Sequence, residues 1–153
     1  MQPHDRRDGI TVLAFDFGTR KIGVAIGNTL LRIARPLTTI ADAASAARFD
    51  AIAALIGEWQ PQCLVVGRPL HADGTTHDMT IRAERFAREL ERRFGLEVAR
   101  VDERYTTAEA DASLIAAGVR GRDRKAARDQ VAAQIILQSW LDELSDKVVR
   151  GSA

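Results

Sequence analysis

One cysteine in 153 residues, Cys63, rules out an internal disulfide and fits a reducing compartment. It opens the apolar run Cys63-Leu64-Val65-Val66-Gly67 and reads as a buried small hydrophobe rather than a nucleophile. The three histidines, His4, His71 and His77, stand at no ligand spacing with it, which argues against zinc. Aromatic residues make up only 5% of the chain, too few for an evident base-stacking platform. Charge of one sign is also lacking. With 22 Lys+Arg against 21 Asp+Glu, any surface for a polyanion must be a local patch rather than a global bias. No run of about 18 apolar residues exists to span a bilayer, and the polar start, residues 1–7, has no signal-peptide apolar segment. The expectation is a soluble, cytoplasmic protein with no membrane partner, long enough to bury roughly two-thirds of its unfolded surface.

What is present begins with Leu13-Ala14-Phe15-Asp16-Phe17-Gly18-Thr19-Arg20-Lys21-Ile22-Gly23-Val24-Ala25-Ile26-Gly27. An apolar strand-like run ends in one carboxylate, turns at Gly18 and resumes as a second apolar run. A carboxylate among such neighbours costs several kcal/mol unless it is paired, hydrogen-bonded or bound to metal. A hairpin presenting Asp16 to a site is therefore expected. The same pattern opens the ribonuclease-H-like nucleases and the actin/Hsp70/sugar-kinase ATPases. The ATPases need two such halves, and one copy of the motif in 153 residues favours the nuclease fold.

The pattern predicts strands over about 11–17, 22–28 and 31–38, joined as an antiparallel meander. A helix follows over 43–58, closed by Gly57 and Pro61, then a buried strand over 63–67. A loop with an Asp73-Gly74 turn leads to a helix over 78–94, a strand over 96–102, a helix over 107–117, a basic loop and a last helix over 125–144. Residues 1–9 read as a flexible leader and 146–153 as a frayed tail, around one domain over 10–145. The order βββ-α-β-α-β-α-α is mixed α/β, with a hairpin region joined to parallel strands by right-handed crossovers. Sites in such sheets gather beyond the carboxyl ends of the parallel strands, where Asp16 and Asp102-Glu103 fall.

The last helix adds a third acid. Asp129, Ala132, Ala133, Ile136, Leu137, Trp140 and Leu141 share one stripe at 3.6 residues per turn, so Asp129 points at the sheet. Asp102 and Glu103 leave an extended chain on opposite sides; only one of them easily faces the site, and the other is free to pair with Arg100 or Arg104. Thr106 and Glu109 have capping-box spacing and read as structural. Carboxylates from two strand ends and one helix form an oxygen-lined cage suited to Mg²⁺ or Mn²⁺, the ions that serve phosphodiester hydrolysis.

Asp16-Phe17-Gly18-Thr19, Gly67-Arg68-Pro69-Leu70 with Asp73-Gly74-Thr75, Asp102-Glu103-Arg104, and Asp129 with Ala132-Ala133 and Ile135-Ile136-Leu137 together resemble the successive motifs of the YqgF/RuvX family. The resemblance covers about residues 10–142. Members are described as pre-16S ribosomal RNA nucleases and Holliday-junction resolvase homologues. It implies a ribonuclease-H-like fold, a five-stranded mixed sheet flanked by helices, and a cytoplasmic role at the 5′ end of small-subunit ribosomal RNA. It also implies Asp16, Glu103 and Asp129 as the catalytic and metal-holding acids. Two departures stand out: Arg68 and Tyr105-Thr106 replace the family's usual leucine and Leu-Ser.

Arg120, Arg122, Arg124, Lys125 and Arg128 crowd against Asp129, with Gly118 and Gly121 predicting a mobile loop. Such a run can hold a phosphate backbone without reading sequence; Arg68 and Arg104 beside the acids join it as candidate contacts. Gly67 and the start of the helix over 78–94 offer backbone to a phosphate, while His71 and His77 read as solvated loop residues. Arg82, Arg85, Arg88 and Arg92 read as an ordinary solvated, salt-bridged face. The expected partner is nucleic acid, structured RNA ahead of branched DNA and within ribosomal precursor particles. A junction resolvase or a non-catalytic assembly factor is the rival, and oligomeric state is open.

Overall fold

The computed structural model describes residues 9–41, 44–103 and 121–151, with the side chains of the last segment described over 127–144. The elements are β1 (Thr11–Phe17), β2 (Ile22–Asn28), β3 (Ala34–Ile40), α1 (Ser45–Trp59), β4 (Cys63–Arg68), α2 (Asp78–Phe94), β5 (Glu97–Asp102) and α3 (Gly121–Gly151). They build a five-stranded sheet in the order β3-β2-β1-β4-β5. The β1–β2 and β2–β3 pairs are antiparallel, and β1–β4 and β4–β5 are parallel. The expected meander and crossovers are therefore present.

Strand alternation divides the core. Leu13, Phe15, Leu64 and Val66 face Phe49 and Ile52 of α1 and Phe86 and Leu90 of α2. Val12, Ala14, Cys63 and Val65 face Ala133, Ile136, Leu137 and Leu141 of α3. Cys63 is buried as expected, and burial with the nearby Glu97 charge pushes its thiol up to about 11, leaving little thiolate. Glutamines tie α3 to the edge strand: Gln138 accepts from Ala34 N–H at 2.9 Å and Gln134 donates to Ala34 carbonyl at 3.1 Å. No described helix is long and apolar enough to cross a membrane.

Three elements differ from the pattern in their limits. β3 starts at Ala34 rather than near residue 31. Asn28 forms a turn instead, its Oδ1 accepting from Leu30 N–H at 2.7 Å, and Arg32 takes φ 58°. The apolar Leu30, Leu31 and Ile33 stand exposed there. α1 closes on Gln60 at φ 49°, whose N–H donates to Ile56 carbonyl, not on Gly57. α3 begins at Gly121 and continues to Gly151, so part of the expected basic loop and of the expected tail is helix. The predicted helix over 107–117 and the Thr106–Glu109 capping box lie outside the described residues.

Candidate active site

The local geometry starts with register. Asp16 sits near the end of β1, and its cross-strand partner on β2 is Gly23. A Cβ on Gly23 would overlap the Asp129 carbonyl of α3, so the bare glycine lets the helix backbone lie directly on the strand. This is the close-approach role of a strand glycine. On the other side of β1, Gly67 of β4 does the same for Glu103. A Cβ there would overlap Glu103 Oε2 and crowd Ile136. Glu103 follows β5, its N–H donating to the Arg68 carbonyl at 3.1 Å, and its carboxyl crosses over Gly67 to Asp16.

Glu103 and Asp16 meet in a carboxyl–carboxylate hydrogen bond, with Glu103 donating. Burial, then the Asp16 charge, lift Glu103 to about 9. Burial lifts Asp16 to about 6; the Glu103 hydrogen bond partly offsets this, and the Asp129 charge adds to it. Like charges in a half-dry setting hold a proton between them. Asp102 is exposed on the far side of the strand end, and its charge still reaches Glu103. Glu103, not Asp102, thus faces Asp16. Arg100 is not Asp102's partner: it pairs with Glu84 at 2.8 Å and Glu91 at 3.0 Å.

The donor chemistry fits a hard divalent cation. The side-chain donors there are carboxyl oxygens, the atoms such a cation would take in place of the proton shared by Asp16 and Glu103. Asp129 lies within Coulombic range of Asp16, but among the described residues no three such side chains converge as a ready-made metal group.

The other candidates distribute unevenly. Arg68 is exposed at the end of β4. Arg128 lies on α3 beside Asp129 and is half-buried. Arg122, Arg124 and Lys125 fall on the first turns of α3, but their side chains, with all of Arg104 and Arg120, lie outside the described residues. The α2 N-terminus is not an open anion site. His77 caps it, accepting from Met79 N–H at 3.2 Å, so this histidine has a structural task. Gly23 went unremarked in the sequence; a glycine inside an apolar strand opposite an acid was the available signal.

A mixed sheet with acids at the strand ends and a helix laid over them defines a ribonuclease-H-like nuclease architecture. The fowlpox virus resolvase in complex with Holliday junction DNA is similar at TM-score 0.55 and 9% identity, over 88% of this chain and 99% of that one. Thermus thermophilus RuvC is similar at TM-score 0.51 and 13% identity, over 90% and 97%. The model of the RuvX family, described as Holliday junction resolvase, matches residues 10–143, and the chain belongs to that family. A Burkholderia cenocepacia (strain HI2424) protein named "Putative pre-16S rRNA nuclease" is 54% identical over 89% of this chain and 91% of its own length. A Burkholderia multivorans protein of the same name is 53% identical over the same shares.

Proposed function

We propose that this chain is a divalent-cation-dependent nuclease that hydrolyses phosphodiesters at the 5′ end of precursor 16S ribosomal RNA, in the cytoplasm. The observation that carries the chemistry is the Asp16–Glu103 contact, in which two carboxyls crowd together and hold a proton that neither would hold in water. Such a pair is an electrostatic cost to the fold unless positive charge arrives. The RNA substrate is favoured by the name of relatives at 53–54% identity, against fold neighbours at 9–13%.

Asp16, Glu103 and Asp129 would hold Mg²⁺ or Mn²⁺. When bound, the cation supplies charge neutralisation for the scissile phosphate and acidifies a coordinated water. The protein residues do the rest. Asp16, fixed by β1, and Glu103, fixed by its backbone bond to Arg68, give up their shared proton and turn both carboxylates toward one point. Asp129 adds a third negative charge from the opposite side, held there by α3 lying on Gly23. Arg68 and Arg128, with Arg104, Arg120, Arg122, Arg124 and Lys125 in the adjoining segments, counter the charge of the substrate backbone.

Branched DNA is the second reading, favoured by the family description as a Holliday junction resolvase. One experiment separates them: cleavage of a labelled 5′-leader precursor RNA and of a four-way DNA junction, with Mg²⁺ or Mn²⁺, by wild type and Asp16→Asn. Cutting of the RNA that is lost in Asp16→Asn is the expected result. Cutting of the junction alone moves the substrate to DNA. Full activity in Asp16→Asn overturns the site, and tight binding without cutting by wild type points to an assembly factor.

A further inference from the structure

On the opposite face of the sheet from Asp129, at the same end, lies an open cleft of about 380 Å³. Its wall includes Phe17 and Thr19, directly after Asp16, with Arg48 of α1 and Arg82 and Arg85 of α2. We propose that this cleft is a second nucleic-acid contact, in which Arg48, Arg82 and Arg85 grip backbone phosphates of the strand running away from the acid pair. The inference rests on the nucleic-acid assignment above and extends it to a surface outside the basic run beside Asp129.

The arginines of α2 divide into two kinds. Arg88 pairs with Glu84 at 3.2 Å, Arg92 with Glu89 at 2.5 Å, and Arg93 with Glu89 at 2.8 Å. Arg82 and Arg85 are exposed and make no ion pair with any described residue. Glu89, the one acid among the described lining residues, has its charge countered by Arg92 and Arg93. The expected solvated, salt-bridged face is therefore present, with the ion pairs at Arg88 and Arg92 and the solvated positions, Arg82 and Arg85, lining the cleft.

Arg48 completes the group. It donates to the Gly18 carbonyl and stands 5.4 Å from the Phe17 ring centroid, which anchors its guanidinium at the β1–β2 turn. Its Nε is buried with no hydrogen-bond partner among the described residues, an unusual cost for a charged donor. The nearby start of α1 has no side-chain cap and no acid in its first turn. Three guanidinium groups that pair with no carboxylate among the described residues, beside an uncapped helix start, suit a polyanion. Phe17, next to Asp16 in the chain, lines this cleft together with Thr19, so a strand held here passes over the sheet end toward the acids.

The test is anisotropy of a fluorescein-labelled RNA hairpin with a single-stranded flank, titrated in EDTA at several salt concentrations. Wild type is compared with Arg82→Gln/Arg85→Gln and with Arg35→Gln/Arg88→Gln, which removes the same charge from exposed positions outside the cleft. The cleft pair is expected to lose roughly 10- to 100-fold in affinity and about 1.5–2 from the slope of log K against log salt, the control pair little of either. Equal losses in both variants, no loss in the first, or no binding by wild type would overturn the cleft. Cleavage is scored separately. Binding that depends on Arg82 and Arg85 without cutting supports the cleft and removes the nuclease assignment; cutting with unchanged binding does the reverse.

Discussion

The two faces of the sheet are built from residues of different size. Toward α1 and α2 lie Leu13, Phe15, Ile22, Ile26 and Leu64. Toward α3 lie Val12, Ala14, Ala25, Ala34 and Cys63, with Gly23 and Gly67 beneath Asp129 and Glu103. Bulky side chains fill the first layer and supply much of the burial that holds the fold. Small ones thin the second until the α3 backbone rests on β2. A carboxylate reaches only a few ångströms, so the acids of β1 and of the β5 end can touch, with Asp129 of α3 in Coulombic range of Asp16, only on the thin face.

The comparison is most sharply broken by Asp16→Asn. It should lower the cleavage rate by about 10²–10³-fold or more, the scale of losing one charge-managing group in a dry site, while the metal-free fold stays intact by circular dichroism. Leu90→Ala probes the thick face, where Leu90 is fully buried. It should cost about 2–5 kcal/mol in chemical denaturation, with the rate per folded molecule unchanged. Gly23→Ala probes the thin face; its methyl displaces helix backbone, so a loss of roughly 1–3 kcal/mol should come together with a fall in rate. Gly67→Ala meets mainly the movable end of Glu103. A smaller stability loss, about 1 kcal/mol, should accompany a clear fall in rate.

The pair also sets a pH signature. Asp16 and Glu103 hold protons in the fold, at about 6 and about 9, that the unfolded chain releases near its ordinary carboxyl values. Raised values mean stability that is present below about pH 4 and is lost as pH climbs through them. In EDTA, the melting temperature should fall between pH 5 and 8 more steeply for wild type than for Glu103→Gln. Equal slopes would show that the two carboxyls do not share a proton.

The strands and the acids were legible because their signals are local. Asp16 stood out as one charge in an apolar run, and Asp129 as one charge on an apolar helical stripe. The role of Gly23 was not legible, because it depends on which β1 residue the β2 register sets opposite it. The same holds for the arginines of α2. Glu84, one turn from Arg88, is shared with Arg100 of β5, and no helical spacing reveals that Arg82 and Arg85 have no such partner among the described residues. Leu30, Leu31 and Ile33 mimicked a strand start, yet the Asn28 side chain bonded the backbone into a turn.

The most direct measurement is calorimetric titration of Mn²⁺ into the metal-free protein at pH 7, repeated in buffers of different ionisation enthalpy. Wild type should bind with release of about one proton, the one Asp16 and Glu103 share, and Asp16→Asn/Glu103→Gln should not bind at that site. Binding without proton release, or equal binding by the double variant, would contradict a cation site built on the thin face of the sheet.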